Sequence, residues 1–175
     1  MSSSSNLDAD QSFEPILGES ARILILGSLP GKRSIAEQGY YAHPRNAFWP
    51  IMSELLGFAS NLRYTERISM LHKHRIALWD VVASAQRPGS LDSAIVRQSA
   101  QYNDIPALLQ RSPAIQLIGF NGSAAADLFK RAQKEWQTPL RDVPQVQLPS
   151  TSPAHAALSL QQKLEAWRSA LGAAL

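Results

Sequence analysis

Hydrophobic positions along the chain gather into short unbroken runs, separated by polar segments rich in Gly, Pro and Ser. The first run, Arg22-Ile-Leu-Ile-Leu-Gly27, is too short for a helix and ends on glycine, which predicts a buried strand. Ser28-Leu-Pro-Gly31 breaks it and opens a polar loop. Residues 48–57 suit a helix with Pro50 in its first turn and Gly57 as its stop. Tyr64 to His74 is also expected to be helical. Arg75-Ile-Ala-Leu-Trp-Asp-Val-Val82 predicts a second strand, followed by a polar loop through Gly89.

The pattern then repeats. Asp104 to Gln110 predicts a short helix and Ala114 to Gly119 a third strand. Asn121-Gly122 turns into an Ala-rich helix running to about Lys134, and Val143 to Leu148 predicts a fourth strand. The closing helix, Leu158 to Leu171, has Leu160, Leu164, Trp167 and Leu171 at helical spacing. Strands alternating with helices predict an α/β fold, a three-layer α/β/α arrangement around a central four-stranded, mainly parallel sheet. In such sheets ligands lie beyond the carboxyl ends of the strands. The segments that follow the strands are 27–46, 80–92, 119–123 and 149–155, and they hold most of the unusual residues in the chain.

Composition narrows the classes. At 175 residues and 45% hydrophobic, the chain has enough apolar material for one sizeable core. Residues 1–12 are Ser-rich, lack the apolar centre of a signal peptide, and are expected to form a disordered tail before a single domain over 13–175. No apolar run approaches the ~20 residues of a membrane span. The formal charge of +3 is compatible with nucleic acid and equally with an ordinary solvated surface. The absence of cysteine excludes thiolate metal sites, Cys nucleophiles and disulfides, and suits a reducing, cytoplasmic compartment. No metal-ligand cluster and no cofactor motif is visible.

Four strand-end segments carry candidate chemistry. Gly27-Ser-Leu-Pro-Gly-Lys-Arg-Ser34 is either a plain turn or a loop whose amides, Ser28, Lys32, Arg33 and Ser34 face an anion. Tyr40-Tyr-Ala-His-Pro-Arg-Asn-Ala-Phe-Trp49 concentrates aromatic and amide groups. Tyr40 or Tyr41 offers a face on which a flipped base stacks, and Asn46 an amide that orients water or the base. Phe48 and Trp49 read equally as helix core, and Asn46 equally as a helix cap. Asp80 ends an apolar strand, where a carboxylate needs either a turn to cap or an N–H to accept. Leu148-Pro-Ser-Thr-Ser-Pro-Ala-His155 encloses hydroxyls between two prolines, suited to a phosphodiester through Ser150 and Ser152. His155 reads either as a structural histidine or as a group that stabilises charge on a leaving base.

Together these segments resemble the uracil-DNA glycosylase superfamily. Gly27-Ser-Leu-Pro-Gly-x-x-Ser34 followed by Tyr40-Tyr-x-His-Pro-x-Asn-x-Phe-Trp49 looks like the first motif of its mismatch-specific and hypoxanthine-specific branches. Residues 148–155 look like its second motif, a loop that enters the minor groove, and Phe120-Asn-Gly-Ser-Ala124 resembles the turn after its third strand. The resemblance implies a monofunctional glycosylase of base-excision repair. It would act as a monomer, without cofactor, on DNA containing a deaminated base. It makes Asn46 and His155 catalytic, and Tyr41, Asp80, Ser28 and Asn121 base-binding. Lys32, Arg33, Ser34, Ser150 and Ser152 become phosphate-binding.

One departure points within the family. Most members carry Asp or Asn just before the first-motif proline, and here that position is Leu29. The hypoxanthine-DNA glycosylase (DNA-deoxyinosine glycosylase) branch likewise lacks the acid and is thought to rely on the Asn that matches Asn46. A uracil- or mismatch-specific glycosylase and a catalytically weak damaged-DNA-binding module remain alternatives. An unrelated α/β hydrolase is disfavoured, because neither a Gly-x-Ser-x-Gly elbow nor a P-loop occurs.

Overall fold

A computed structural model describes residues 8–175. In chain order the elements are β1 (Asp10–Gln11), β2 (Ile23–Gly27), α1 (Lys32–Glu37), α2 (Phe48–Leu56), α3 (Tyr64–Lys73), β3 (Ile76–Asp80), β4 (Val82–Ala85), β5 (Gln101–Tyr102), α4 (Ile105–Arg111), β6 (Leu117–Asn121), α5 (Ser123–Ala132), β7 (Gln145–Leu148) and α6 (Leu160–Leu171). The main sheet has four strands in the order β3-β2-β6-β7, all parallel. The expected three-layer α/β/α fold is therefore the observed one.

Alternation along the strands builds the layers. On β2, Ile23 and Ile25 face one side and Leu24 and Leu26 the other, and all four are fully buried. The first side packs against α2, α3 and α6 through Phe48, Met52, Leu71 and Trp167. The second packs against α4 and α5 through Leu108, Leu109, Leu128 and Phe129. Gly57 ends α2 in the left-handed conformation at φ 69°, where a residue without Cβ is unstrained.

Three features differ from the sequence expectation. The apolar run 75–82 is not one strand. It leaves the main sheet after Asp80, and β4 joins a second, antiparallel sheet of order β1-β4-β5. Periodicity is blind to such a change of partner, because both halves are buried. A short helix, α1, replaces the polar loop after Gly31. Its sequence KRSIAE holds too little apolar material to show a helical period. Finally, residues 1–7 of the expected tail lie outside the described residues, but Asp10–Gln11 is not tail. It pairs with Ala85 and Ser84, and Asp10 is buried in an ion pair. A partner so far along the chain is invisible in a Ser-rich leader.

The pairing register fixes where the strands stop. Gly27 lies beside Asp80 and Asn121 beside Leu148, so these strand ends form one edge.

Candidate active site

A cavity of about 380 Å³ opens on that edge, within the size range of small-molecule pockets. Ser28, Lys32, Arg33, Ser34, Tyr41, Asn46, Asp80, Asn121, Ser150, Ser152 and His155 all line it. Residues from all four strand-end segments thus meet as expected, although their individual geometries differ from one another in what they leave free.

Asp80 and Tyr41 form a pair around Gly27. A Cβ on residue 27 would lie 2.6 Å from Asp80 Oδ1 and 3.1 Å from the Tyr41 hydroxyl, so glycine is what lets both groups converge there. Asp80 Oδ2 and the Tyr41 hydroxyl are buried and have no hydrogen-bond partner. Burial, reinforced by the nearby Asp92 carboxylate and opposed by Arg87, pushes the Asp80 carboxyl up to about 7. Burial likewise holds the Tyr41 phenol well above its ordinary range, so it stays a neutral hydroxyl. Tyr41 has φ 55°, a strained conformation for a bulky residue, of the sort that clusters at functional sites. One face of its ring is already stacked on Phe48, with centroids 4.1 Å apart. Tyr40, by contrast, is locked in the core. Its hydroxyl donates to the Glu14 carbonyl at 3.0 Å, and its own carbonyl accepts from Trp49 Nε1 at 2.9 Å.

Asn46 combines two roles. Its Oδ1 accepts the Phe48 N–H at 3.0 Å in an Asx turn that leads into α2, while the N-cap position itself is Ala47 and not Asn46 as the sequence allowed. That bond fixes the side chain, which lines the cavity. Asn121 is engaged at both ends. Its Nδ2 donates to Thr151 Oγ1 and its Oδ1 accepts the Thr151 N–H, both at 2.9 Å. These two bonds hold the second loop, and Asn121 also lines the cavity. The Thr151 carbonyl in turn accepts the Ala47 N–H at 2.9 Å, which ties the start of α2 to the same knot.

The expected phosphate contacts also divide. Ser34 is buried and its Oγ accepts the Ala42 N–H at 3.1 Å, so it braces the first loop. Lys32 pairs with Asp10 at 2.5 Å and Arg33 with Glu37 on the exposed side of α1. Ser150 and Ser152 accept the Ser152 and Ala154 N–H groups at 3.2 Å, which leaves their hydroxyl protons free to donate. Ser28 donates to Asp92 at 2.5 Å. The backbone carbonyl of His155 accepts from Lys163 Nζ at 2.7 Å, and its N–H donates to the Ser152 carbonyl at 3.0 Å.

Three supporting residues escaped the sequence reading. Arg87 is buried and donates through Nε and NH2 to Asp10 Oδ2 at 3.0 and 2.7 Å. It also donates to the carbonyls of Leu29, at 3.3 Å, and Pro30. It therefore clamps the first loop to the N-terminal strand. Its position in a polar strand-end segment was the one signal, and its partner Asp10 gave none. Lys163, the third, lies in a helix that reads as an ordinary amphipathic one. Leu29 itself is 6% exposed and packs into the core on the α4/α5 side, so no polar group stands at that position.

The model of the Uracil DNA glycosylase superfamily matches residues 15–171 of the chain. The chain belongs to this superfamily. It is accordingly a DNA glycosylase. Among similar proteins, one from Methanosarcina barkeri described as "Hypoxanthine DNA glycosylase" is 36% identical over 118 residues, 67% of this chain and 73% of that protein. Another of the same description, from Methanosarcina acetivorans, is 39% identical over 116 residues, 66% of this chain and 72% of that one. A solution NMR structure of a uracil-DNA-glycosylase candidate from Methanosarcina acetivorans superposes with a TM-score of 0.76 at 33% identity. It covers 92% of this chain and 95% of its own. No helix among the described residues of this glycosylase is long and apolar enough to cross a membrane.

Proposed function

We propose that this glycosylase excises hypoxanthine from deoxyinosine in DNA, acting as a monofunctional enzyme and as a monomer. The observation that carries the reading is Asp80, a buried carboxylate on the cavity wall with an unpartnered oxygen. An unpaired buried acceptor is costly in a folded protein, and a base edge presenting N–H removes that cost when it binds. Hypoxanthine offers such an edge at N1–H, and the description of the two Methanosarcina relatives agrees with it. Uracil also carries an imide N–H, so deoxyuridine is the second substrate to test.

In this reading the damaged nucleotide leaves the stack and enters the cavity, with Asp80 accepting from the base edge. Tyr41 stands against the base, with its hydroxyl as a second polar contact, and Ser28 is held near the same edge. The hydroxyls of Ser150 and Ser152, with Lys32 and Arg33, hold the flanking phosphates. The C1′–N bond breaks through an oxocarbenium-like sugar, and the bonding pair leaves with the base. The Asn46 amide and His155 offset the charge that builds there or orient the incoming water. Water oxygen adds to C1′ and its proton goes to the departing base, leaving an abasic site. Lys32, the lysine that lines the cavity, is tied to Asp10, which argues against an amine nucleophile and strand scission.

The test is a panel of duplexes carrying one deoxyinosine, deoxyuridine or deoxyxanthosine, treated with the protein and then with alkali. The expected result is an alkali-dependent break at deoxyinosine. Breaks that form without alkali would contradict the monofunctional reading, and no break at any of the three would end the glycosylase proposal.

A further inference from the structure

Two carboxylates line the cavity, Asp80 and Asp92, and they stand at different depths. Asp80 is 3% exposed and lies beside Gly27. Asp92 is open to solvent at the mouth. Ser28, the residue after Gly27, is buried and donates through Oγ to Asp92 Oδ1 at 2.5 Å. The other oxygen, Asp92 Oδ2, is engaged by no protein donor among the described residues. The loop that carries Asp92 is fixed. Ser90 Oγ accepts the Lys32 N–H at 3.1 Å, a 3₁₀ turn begins at Asp92 itself, and Arg87 and Ile95 on either side are buried. A brace for Ser28 needs only a neutral acceptor. A carboxylate in that place is costly, because it raises the neighbouring Asp80 carboxyl and stands where the phosphates of a bound strand approach.

We propose that Asp92 is a catalytic residue, the base that takes a proton from the water attacking C1′. This role rests on the excision reading above and adds to it the group that activates the water. A base whose edge meets Asp80 carries its sugar back toward the mouth, which brings C1′ to the level of Asp92. The sugar becomes cationic as the glycosidic bond breaks, and among the residues lining the cavity only the two aspartates bring negative charge. Asp80 is occupied by the base edge. Leu29, next to Ser28, is packed in the core, and the Asn46 amide is not a base. The Ser28 bond holds Asp92 by Oδ1 and leaves Oδ2 for the water. The C1′–N bonding pair leaves with the base, the water oxygen bonds to C1′, and the proton of its broken O–H bond passes to Asp92 Oδ2. That proton then moves to the departing base, which restores the carboxylate. Although Asp92 reaches solvent, the cavity walls desolvate it enough to raise its carboxyl above the ordinary value, with the Ser28 hydrogen bond and Arg87 opposing. It is thereby a stronger base than a free surface aspartate.

The test is single-turnover release of hypoxanthine from a deoxyinosine duplex by the wild type, Asp92→Asn and Asp92→Ala. Binding is measured beside it on the same duplex with a 2′-fluoro sugar, whose fluorine withdraws electrons from C1′ and slows cleavage. Asp92→Asn keeps an acceptor oxygen for Ser28 but cannot take the proton. The expected result is a rate at least about 10²-fold lower, with binding as tight as that of the wild type or tighter, since a charge that repels phosphate is gone. Asp92→Ala should be as slow. It should recover with added formate, a small carboxylate that fits the space left, and not with chloride at the same ionic strength. A near-wild-type rate for Asp92→Asn, a loss that only follows weaker binding, or an Asp92→Ala rate that formate does not raise would each overturn the proposal and leave the excision reading standing. No release by the wild type would end the hypoxanthine reading itself, and the role of Asp92 with it.

Discussion

Asp80 carries the tension between stability and function in this molecule. Its ordinary carboxyl pKa of 3.8 is pushed up to about 7 in the fold, chiefly by burial. The folded protein thus holds a proton that the unfolded chain releases above pH ~4. Stability from this group is complete below that pH, declines as pH rises, and levels off above about 7. Asp80→Asn keeps the shape and removes the titration. It should melt above the wild type at pH 8, by at most about 4 kcal/mol, with the gap closing toward pH 4. The same variant should lose most excision, because the amide keeps one acceptor oxygen but replaces the other with an NH2 donor and cannot carry charge. In the wild type, excision should rise with pH through about 7 as Asp80 ionises. A melting curve for Asp80→Asn that tracks the wild type at every pH would contradict this account of the residue. Asn46→Ala should lower single-turnover excision by about 10²–10³ while substrate binding changes far less, as when a charge-stabilising donor is removed. The loss of the Asx-turn bond to Phe48 adds about 1 kcal/mol of instability, readable separately by melting. The sequence exposed these two residues because a carboxylate closing an apolar strand and an amide opening a helix are locally anomalous. It did not show that Asn121 and Ser34 also brace the loops, because their partners Thr151 and Ala42 are brought near only by the folded chain.

At the scale of elements, the strands of the main sheet and their flanking helices were legible. Each is long enough, or apolar enough, to show its own period. The short pieces were not. β1, α1 and β4 draw their stability from what they touch, and the connection among them is the Asp10–Arg87 clamp on the first motif loop. Arg87 is fully buried and Asp10 nearly so. Removing Asp10 leaves Arg87 as an uncompensated buried charge, whereas removing Arg87 leaves Asp10 still paired with Lys32. Asp10→Ala should therefore destabilise by about 3–5 kcal/mol, and Arg87→Ala by less. The double variant should be much less destabilised than the sum of the two, a coupling that denaturant unfolding of the four proteins measures. Strict additivity would show that the clamp is not a unit. The Asn121–Thr151–Ala47 knot plays the corresponding part for the second loop, joining β6, the β7–α6 connection and α2.

The whole molecule brings these loops to one edge of a parallel sheet. That placement was foreseeable from the alternation of strands and helices, since ligands of such sheets gather at the strand ends. What the sequence could not convey was how few of the basic residues at the cavity are unengaged. Lys32 and Arg33 are both paired with acids. A phosphate bound there shares the Lys32 ammonium with Asp10. Lys32→Ala should weaken DNA binding about equally on damaged and undamaged duplexes. It should also make the slope of log Kd against log salt shallower by about one. A slope identical to that of the wild type would remove Lys32 from the phosphate set.

The central claim is that this superfamily member hydrolyses the bond between deoxyribose and hypoxanthine. Chromatography of the free base released from a deoxyinosine duplex measures that bond directly. The account predicts free hypoxanthine in amounts matching the abasic sites formed, and strongly reduced release by Asp80→Asn. Intact deoxyinosine after prolonged incubation with the wild type, or undiminished release by Asp80→Asn, would contradict it.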